Sequence, residues 1–260
     1  MARRDDGTIF LRSPHALGPY PGNLTERLVR WAREAPQRTL AAQRSETGAW
    51  RTISYGEAYT RACRIGQALL ERGLSAERPV AILSENGIEH LLLLLAAMHV
   101  GIPCAPVSPA YSLVSADFAK LRYVIGLATP GLVYASDEAR FAMAIDAAIP
   151  KSTEIVLGRD FAKLEAGAPT ARVGEAHAKT GPDTIAKLLF TSGSTGQPKA
   201  VINTQRMLCA NQQMLAQALP WLAEVPPVLV DWLPWHHTAG GNHNIGIVLY
   251  NGGTLYIDEG

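Results

Sequence analysis

Leu188-Leu189-Phe190-Thr191-Ser192-Gly193-Ser194-Thr195-Gly196-Gln197-Pro198-Lys199 sets an apolar run against a turn of hydroxyls and glycines that ends in a cation. Residues 185–190 read as a buried strand, and the turn that follows is built to meet an anion. Gly193 and Gly196 let the backbone come close and point its N–H groups inward, while Thr191, Ser192, Ser194 and Thr195 offer hydroxyl donors. Lys199 adds a full positive charge. Because the chain holds six Lys against eighteen Arg, a Lys here marks a compact, mobile point charge and not a planar fork. A Walker A loop needs Gly-x-x-x-x-Gly-Lys followed by Ser or Thr, whereas Pro198 precedes Lys199 and Ala200 follows it. Pro198 also disfavours helical geometry at Gln197, so the loop does not run straight into a helix.

Upstream, strand and helix signals alternate. Ser54-Tyr55-Gly56-Glu57 has the spacing of a capping box. Behind it Tyr59, Ala62, Ile65, Gly66, Leu69 and Leu70 fall on one helical face, and Gly73 can supply a left-handed stop. The expected order is then a strand at 79–83, a Leu-rich helix at 87–100, a strand at 104–107 and a helix at 116–127. A strand at 131–135, a helix at 138–148 and a strand at 154–157 follow. Residues 159–183, rich in Ala, Gly, Pro, Thr and charge, read as an exposed connection. Order resumes with the strand at 185–190, a helix at 204–219 and strands at 228–231 and 253–257. This rhythm argues for an α/β fold with a largely parallel sheet. The expected sections are 1–50 (an extension with a first helix and strand), 51–183 and 184–260. The last expected strand runs to the end of the chain without a crossover helix after it, which reads as a cut.

Composition narrows the function classes. A chain of 260 residues, 47% hydrophobic, can bury a large core. Twenty-four basic against 23 acidic residues provide no electrostatic reason for nucleic-acid binding. The thirteen Arg among the first 78 residues sit at spacings suited to solvated faces. Cys63, Cys104 and Cys209 are too few and too scattered for a disulfide framework or a zinc pattern, which fits a reducing cytoplasm. No secretory signal is legible, and the greasiest stretch, 91–100, has about half of the roughly 20 residues a membrane span needs.

Thr-Ser-Gly-Ser-Thr-Gly-Gln-Pro-Lys at 191–199 resembles the signature of the adenylate-forming (AMP-binding) superfamily of acyl-CoA synthetases, aryl-CoA ligases and luciferases. The likeness runs from Ser54-Tyr55-Gly56-Glu57 through Gly101-Ile102-Pro103-Cys104-Ala105-Pro106-Val107-Ser108-Pro109 to Leu233-Pro234-Trp235-His236-His237-Thr238-Ala239-Gly240. Residues 201–207 and 235–243 look most like feruloyl-CoA synthetases. Ala200 departs from the Gly of many relatives. The resemblance implies the N-terminal part of the adenylate-forming fold, largely parallel sheets flanked by helices, with the small C-terminal domain missing. It implies activation of a carboxylic acid, feruloyl or a related hydroxycinnamate, by ATP through acyl-AMP to acyl-CoA, with magnesium and coenzyme A taking part. This chain alone would then be inactive. Other readings are a fatty or benzoic acid CoA ligase, or a non-catalytic nucleotide-binding module.

By resemblance, Lys199 and His237 are the catalytic candidates. Thr191, Ser192, Gly193, Ser194, Thr195, Gly196 and Lys199 hold the nucleotide; His236, His237 and Gly240 border the acid; and Thr195 reaches the metal. The segment 232–237 follows an expected strand, which puts its rings at the C-terminal edge of a sheet, where α/β proteins bind ligands. A metal site built from His236, His237 and His243 is the rival reading, but the spacing lacks the i, i+4 geometry of helical zinc sites and no acidic ligand is near. Asp231, Asn242 and Asn244 are polar neighbours without an assigned role. Oligomeric state is not legible.

Overall fold

A computed structural model describes residues 1–191 and 196–258. The chain opens with a short antiparallel pair, β1 (Ala2–Arg3) and β2 (Ile9–Phe10), then helix α1 (Thr25–Glu34) and the hairpin β3 (Thr39–Arg44) and β4 (Trp50–Ser54). The capping box forms as its spacing predicts: the Ser54 hydroxyl accepts from the Glu57 amide at 3.2 Å, and the Glu57 carboxylate accepts from the Ser54 amide at 2.8 Å. It starts α2 (Tyr55–Glu71), whose Ala62, Ile65, Gly66 and Leu69 are buried. Gly73 follows at φ +62°, the left-handed stop. A Cβ on Gly66 would press on Val100, so this glycine lets α2 lie close to the next helix.

The alternating middle follows in order: β5 (Val80–Leu83), α3 (Ile88–His99), β6 (Cys104–Pro106), the short α4 (Ala110–Leu113), α5 (Ala119–Ala128), β7 (Leu132–Ala135), α6 (Glu138–Ala148) and β8 (Glu154–Leu157). The Leu-rich helix α3 is buried along its length between α2 and the sheets, and no helix among the described residues is long and apolar enough to cross a membrane. α5 begins three residues later than the spacing predicts. Asp117 accepts from the Ala119 amide and the Ser115 hydroxyl, and Phe118 takes φ +52°, so a turn occupies 115–118.

Residues 159–183 are not a plain connection. A 3-10 helix (Gly158–Glu165) and α7 (Ala171–Lys179) pack on α2, with Phe161, Leu164 and Val173 buried. The Thr170 hydroxyl caps α7 and also donates to Gln67 at 2.8 Å. Three apolar anchors among polar residues are enough to dock such a segment, yet too few to print a periodic pattern.

β9 (Ile185–Thr191), β10 (Lys199–Thr204), α8 (Gln205–Ala218), α9 (Trp221–Glu224), β11 (Val228–Asp231), a π-helical turn (Ala239–Asn244), α10 (Ile245–Asn251) and β12 (Thr254–Ile257) complete the chain. Six strands form one sheet in the order β10-β9-β6-β5-β7-β8, parallel except for β9 with β10. Four form another, β11-β12-β3-β4, in which only β3 and β4 run antiparallel. This is the α/β, largely parallel architecture expected. Both sheets draw on strands from either side of residue 184: β9 joins β6, while β3, which carries β4 at its other edge, pairs with β12, formed after residue 227. Sheet pairing is long-range, and a linear pass along the chain does not register it. Cys63, Cys104 and Cys209 are free and buried.

His90 and His99 lie inside this packing. Burial holds their imidazoles down to about 4 and about 3, and His99 stacks on His177 at 4.0 Å between ring centroids. Unfolded, both would titrate near 6.5. Below that pH the unfolded chain takes up protons the native state refuses, so stability is complete above about 6.5 and is lost as the pH falls toward about 4. Thermal midpoints measured from pH 7 to 4 should therefore fall on the acid side, and His99→Gln should make that slope shallower.

Candidate active site

The two ends of the phosphate-loop segment meet at one sheet edge. β9 delivers Thr191 and β10 starts at Lys199, and these two residues are directly paired in the antiparallel register. Both are exposed. Ser192, Gly193, Ser194 and Thr195, including the expected metal contact, lie outside the described residues. Gly196 sits at φ +90°, a conformation that favours glycine. With Gln197 it borders a cavity of about 480 Å³ shared with Tyr111, Asp117 and Lys120. Pro198 turns the chain into a strand and not a helix. β10 was legible only as the β-branched pair Val201-Ile202, which the loop reading passed over.

The His-bearing segment is shaped by a buried carboxylate. Asp231, 1% exposed at the end of β11, accepts from the Leu233 amide (3.1 Å), the Trp235 indole Nε1 (2.9 Å) and the Asn244 amide (2.6 Å). Asn86, after β5, clamps the same segment from the other sheet. It donates to the Leu233 carbonyl at 2.9 Å and accepts from the Trp235 amide at 3.1 Å. Trp235 is thereby buried edge-on against His90. The turn 239–244 then folds back tightly. A Cβ on Gly240 would strike the Leu233 and Pro234 carbonyls, and one on Gly241 would strike the Trp235 carbonyl. Gly240 is therefore a buried packing residue, next in sequence to Ala239 of the cavity wall described below.

His236 and His237 point to different surroundings, with ring centroids 4.3 Å apart. His236 borders a cavity of about 690 Å³ at the C-terminal ends of strands from both sheets, with Ser84, Asn86, His90, Tyr134 and Asp258. Burial, and then the neighbouring His237, hold its imidazole down to about 4, so it is neutral at ordinary pH. His237 is exposed, and its carbonyl accepts from the Gly241 amide at 2.8 Å. Beyond it Thr238, Ala239, Asn242 and His243 form one wall of a cavity of about 650 Å³, closed by Asn203, Met207, Leu208 and Asn211 from β10 and α8. The Asn242 side-chain amide donates to Asn203 at 2.9 Å, while its Oδ1 is buried without a partner among the described residues. Among the described residues no group of three His, Cys, Asp or Glu could hold a metal ion.

Asp231 and Asn244 thus acquire a shared role as ligands of the segment's shape, and Asn242 one as cavity wall. Asn86 and Asn203 were not anticipated, since a single Asn after a strand carries no distinguishing spacing. Asp231→Ala would leave one buried and two part-buried donors without their acceptor and should cost about 2–4 kcal/mol of stability, read from urea unfolding, together with a shift in Trp235 fluorescence.

The chain is 25% identical over 237 residues to the 4-hydroxyphenylalkanoate adenylyltransferase of Mycobacterium marinum, an alignment covering 87% of this chain and 36% of that protein. It is 30% identical over 196 residues to the long-chain-fatty-acid–AMP ligase FadD26 of Mycobacterium tuberculosis, covering 73% and 32%. The chain thus spans about a third of the length of these relatives. Among solved structures, ATP-bound MatB from Rhodopseudomonas palustris is similar with a TM-score of 0.72 at 25% identity, over 91% of this chain and 45% of that one. The fatty acyl-adenylate ligase of L. pneumophila shares the fold, with a TM-score of 0.71 at 20% identity, over 90% and 39%. Residues 28–260 match the profile of the AMP-binding enzyme, and the chain belongs to that family.

Proposed function

We propose that the protein carrying this chain activates an aromatic carboxylic acid, a hydroxycinnamate such as ferulate, with ATP to an acyl-adenylate and passes the acyl group to coenzyme A. The observation that carries the reading is the β9–β10 hairpin, which places Lys199 opposite Thr191 at the ends of a glycine- and hydroxyl-rich loop. The aromatic assignment rests on the likeness of residues 201–207 and 235–243 to feruloyl-CoA synthetases. It draws support from the name of the M. marinum relative and from a cavity whose apolar Met207, Leu208 and Ala239 are joined by three Asn. An all-apolar tunnel would suit an alkyl chain better.

A carboxylate resists attack because its charge repels nucleophiles and oxide leaves poorly. In the first step a carboxylate oxygen attacks the α-phosphorus, the bond to the bridging oxygen breaks, and pyrophosphate departs. Lys199 offsets the charge that grows on the leaving group, and the loop's N–H and hydroxyl donors keep the phosphates in line. His237, which lies in sequence between the cavity-lining His236 and Thr238, is given the role of orienting the carboxylate toward that phosphorus. In the second step the thiolate of coenzyme A attacks the acyl carbon and AMP leaves. Magnesium, when bound, would neutralise phosphate charge; its expected contact Thr195 lies outside the described residues.

A second reading is favoured by the names of two relatives, an adenylyltransferase and an AMP ligase: the acyl-adenylate is itself the product handed on. Product analysis separates the two. With ferulate, ATP and coenzyme A, the polypeptide that carries this chain should release a thioester; accumulation of acyl-AMP alone would replace the coenzyme A assignment, and preference for long-chain fatty acids would remove the aromatic one. In the same assay Lys199→Ala should lower ATP–pyrophosphate exchange by about 100-fold or more. An exposed side chain of this kind should leave the thermal midpoint within about 2 °C.

A further inference from the structure

Lys187 sits in the middle of β9, four residues before Thr191, and is 1% exposed. Its register partners are Cys104 of β6 on one side and Asn203 of β10 on the other. Among the described residues it forms no ion pair. Its one hydrogen bond runs from Nζ to the carbonyl of Gly241 in the turn 239–244. Burial is heavy enough to push the amine down to about 7, so this placement costs stability compared with an apolar side chain. Gly241 is held at its other polar group too, through its amide on the His237 carbonyl. Next to it, Asn242 donates to Asn203, the residue opposite Lys187.

We infer that Lys187 is a positioning residue: its Nζ–Gly241 bond fixes the turn 239–244, one wall of the 650 Å³ cavity, to the strand that carries the phosphate loop, and so sets where the acid lies relative to the nucleotide. A buried amine with no ionic partner among the described residues is a poor device for stability alone. A bond to one carbonyl, reaching from the nucleotide strand to the acid wall, is a good device for register between two substrates, because near-attack geometry is lost with a displacement of about 1 Å. Apolar contacts are non-directional and could not fix the turn in this way. Lys187 borders none of the cavities described here, so it acts through Gly241 and not on the substrate itself.

This inference rests on the proposal that the cavity receives the acid, and its test has an arm that does not. Lys187→Met keeps the length and the apolar stem and removes the donor. By hydrogen–deuterium exchange on this chain, amides of residues 239–251 should exchange about tenfold faster in the variant, while α2 and α3 remain unchanged. The thermal midpoint should be equal to or above that of the parent. In the polypeptide that carries the whole activity, KM for the acid should rise about tenfold while KM for ATP stays within about twofold. Unchanged exchange in 239–251, or KM values for acid and ATP that rise together, would overturn the inference. If Lys187→Met does not fold, Lys187→Gln, which retains an N–H donor, is read by the same two measurements against Gly241→Ser, which crowds the turn directly; parent-like exchange and KM for Lys187→Gln support the bond, and losses equal to those of Gly241→Ser count against it. Should the parent activate no acid, the proposed function fails and the exchange arm still decides the role of Lys187.

Discussion

A carboxylate almost wholly withdrawn from water persists only when donors replace the lost hydration. Asp231 finds three, and each comes from a different part of the segment that follows β11: a backbone amide two residues on, an indole four residues on, and a side-chain amide at the end of the π-helical turn. This one group converts a stretch without regular structure into a fixed scaffold. Because Trp235 is pinned, the carbonyls of 233–235 become a floor on which only glycines can sit, and Gly240-Gly241 meets that demand. His236 and His237 take opposite outlooks as a result, one into the cleft between the sheets and one toward solvent.

The second constraint is topological. Each sheet is parallel at its centre, so the carboxyl ends of β5, β7, β11 and β12 converge, and the cleft of about 690 Å³ lies where they meet. Polar residues that follow those strands, Ser84, Asn86, Ser136 and Asp258, line it without interrupting the core. The single antiparallel partner of β9 then does something a parallel strand could not. By returning directly alongside, β10 brings the far end of a short loop back to its start, which is how Thr191 and Lys199 become neighbours across eight residues of sequence.

Much of this was legible in the chain. Helices with a cap signal or a one-sided apolar period, such as the one at Ser54 and α6 at Glu138–Ala148, appear where local rules put them, and so does the strand Glu154–Leu157. What escaped are features decided by tertiary context. The strand after Lys199 has a weak local pattern and exists because β9 offers an edge. The segment 159–183 looks like linker because its three anchors are sparse. At the site, the expectation of an anion-binding loop came from residue types alone, whereas the packing demand on Gly240 and Gly241 is set by the carbonyls of 233–235 and has no local signal. Lys187 was invisible as anything but an interruption in an apolar strand, since only a fold can say that a carbonyl waits opposite it.

The pairing of β3 with β12 has a further consequence for how the chain comes to be folded. Ala41 lies beside Leu255, and the Trp31 indole and Arg38 guanidinium grip carbonyls at Leu249 and Gly252. During synthesis the ribosome therefore releases the hairpin β3–β4 some two hundred residues before its neighbour exists. Until then one strand edge stands open, a template that invites pairing with other nascent chains. The sheet closes late, across some two hundred residues of sequence, and a step of that kind is slow because the entropy of a large loop must be surrendered before any contact rewards it.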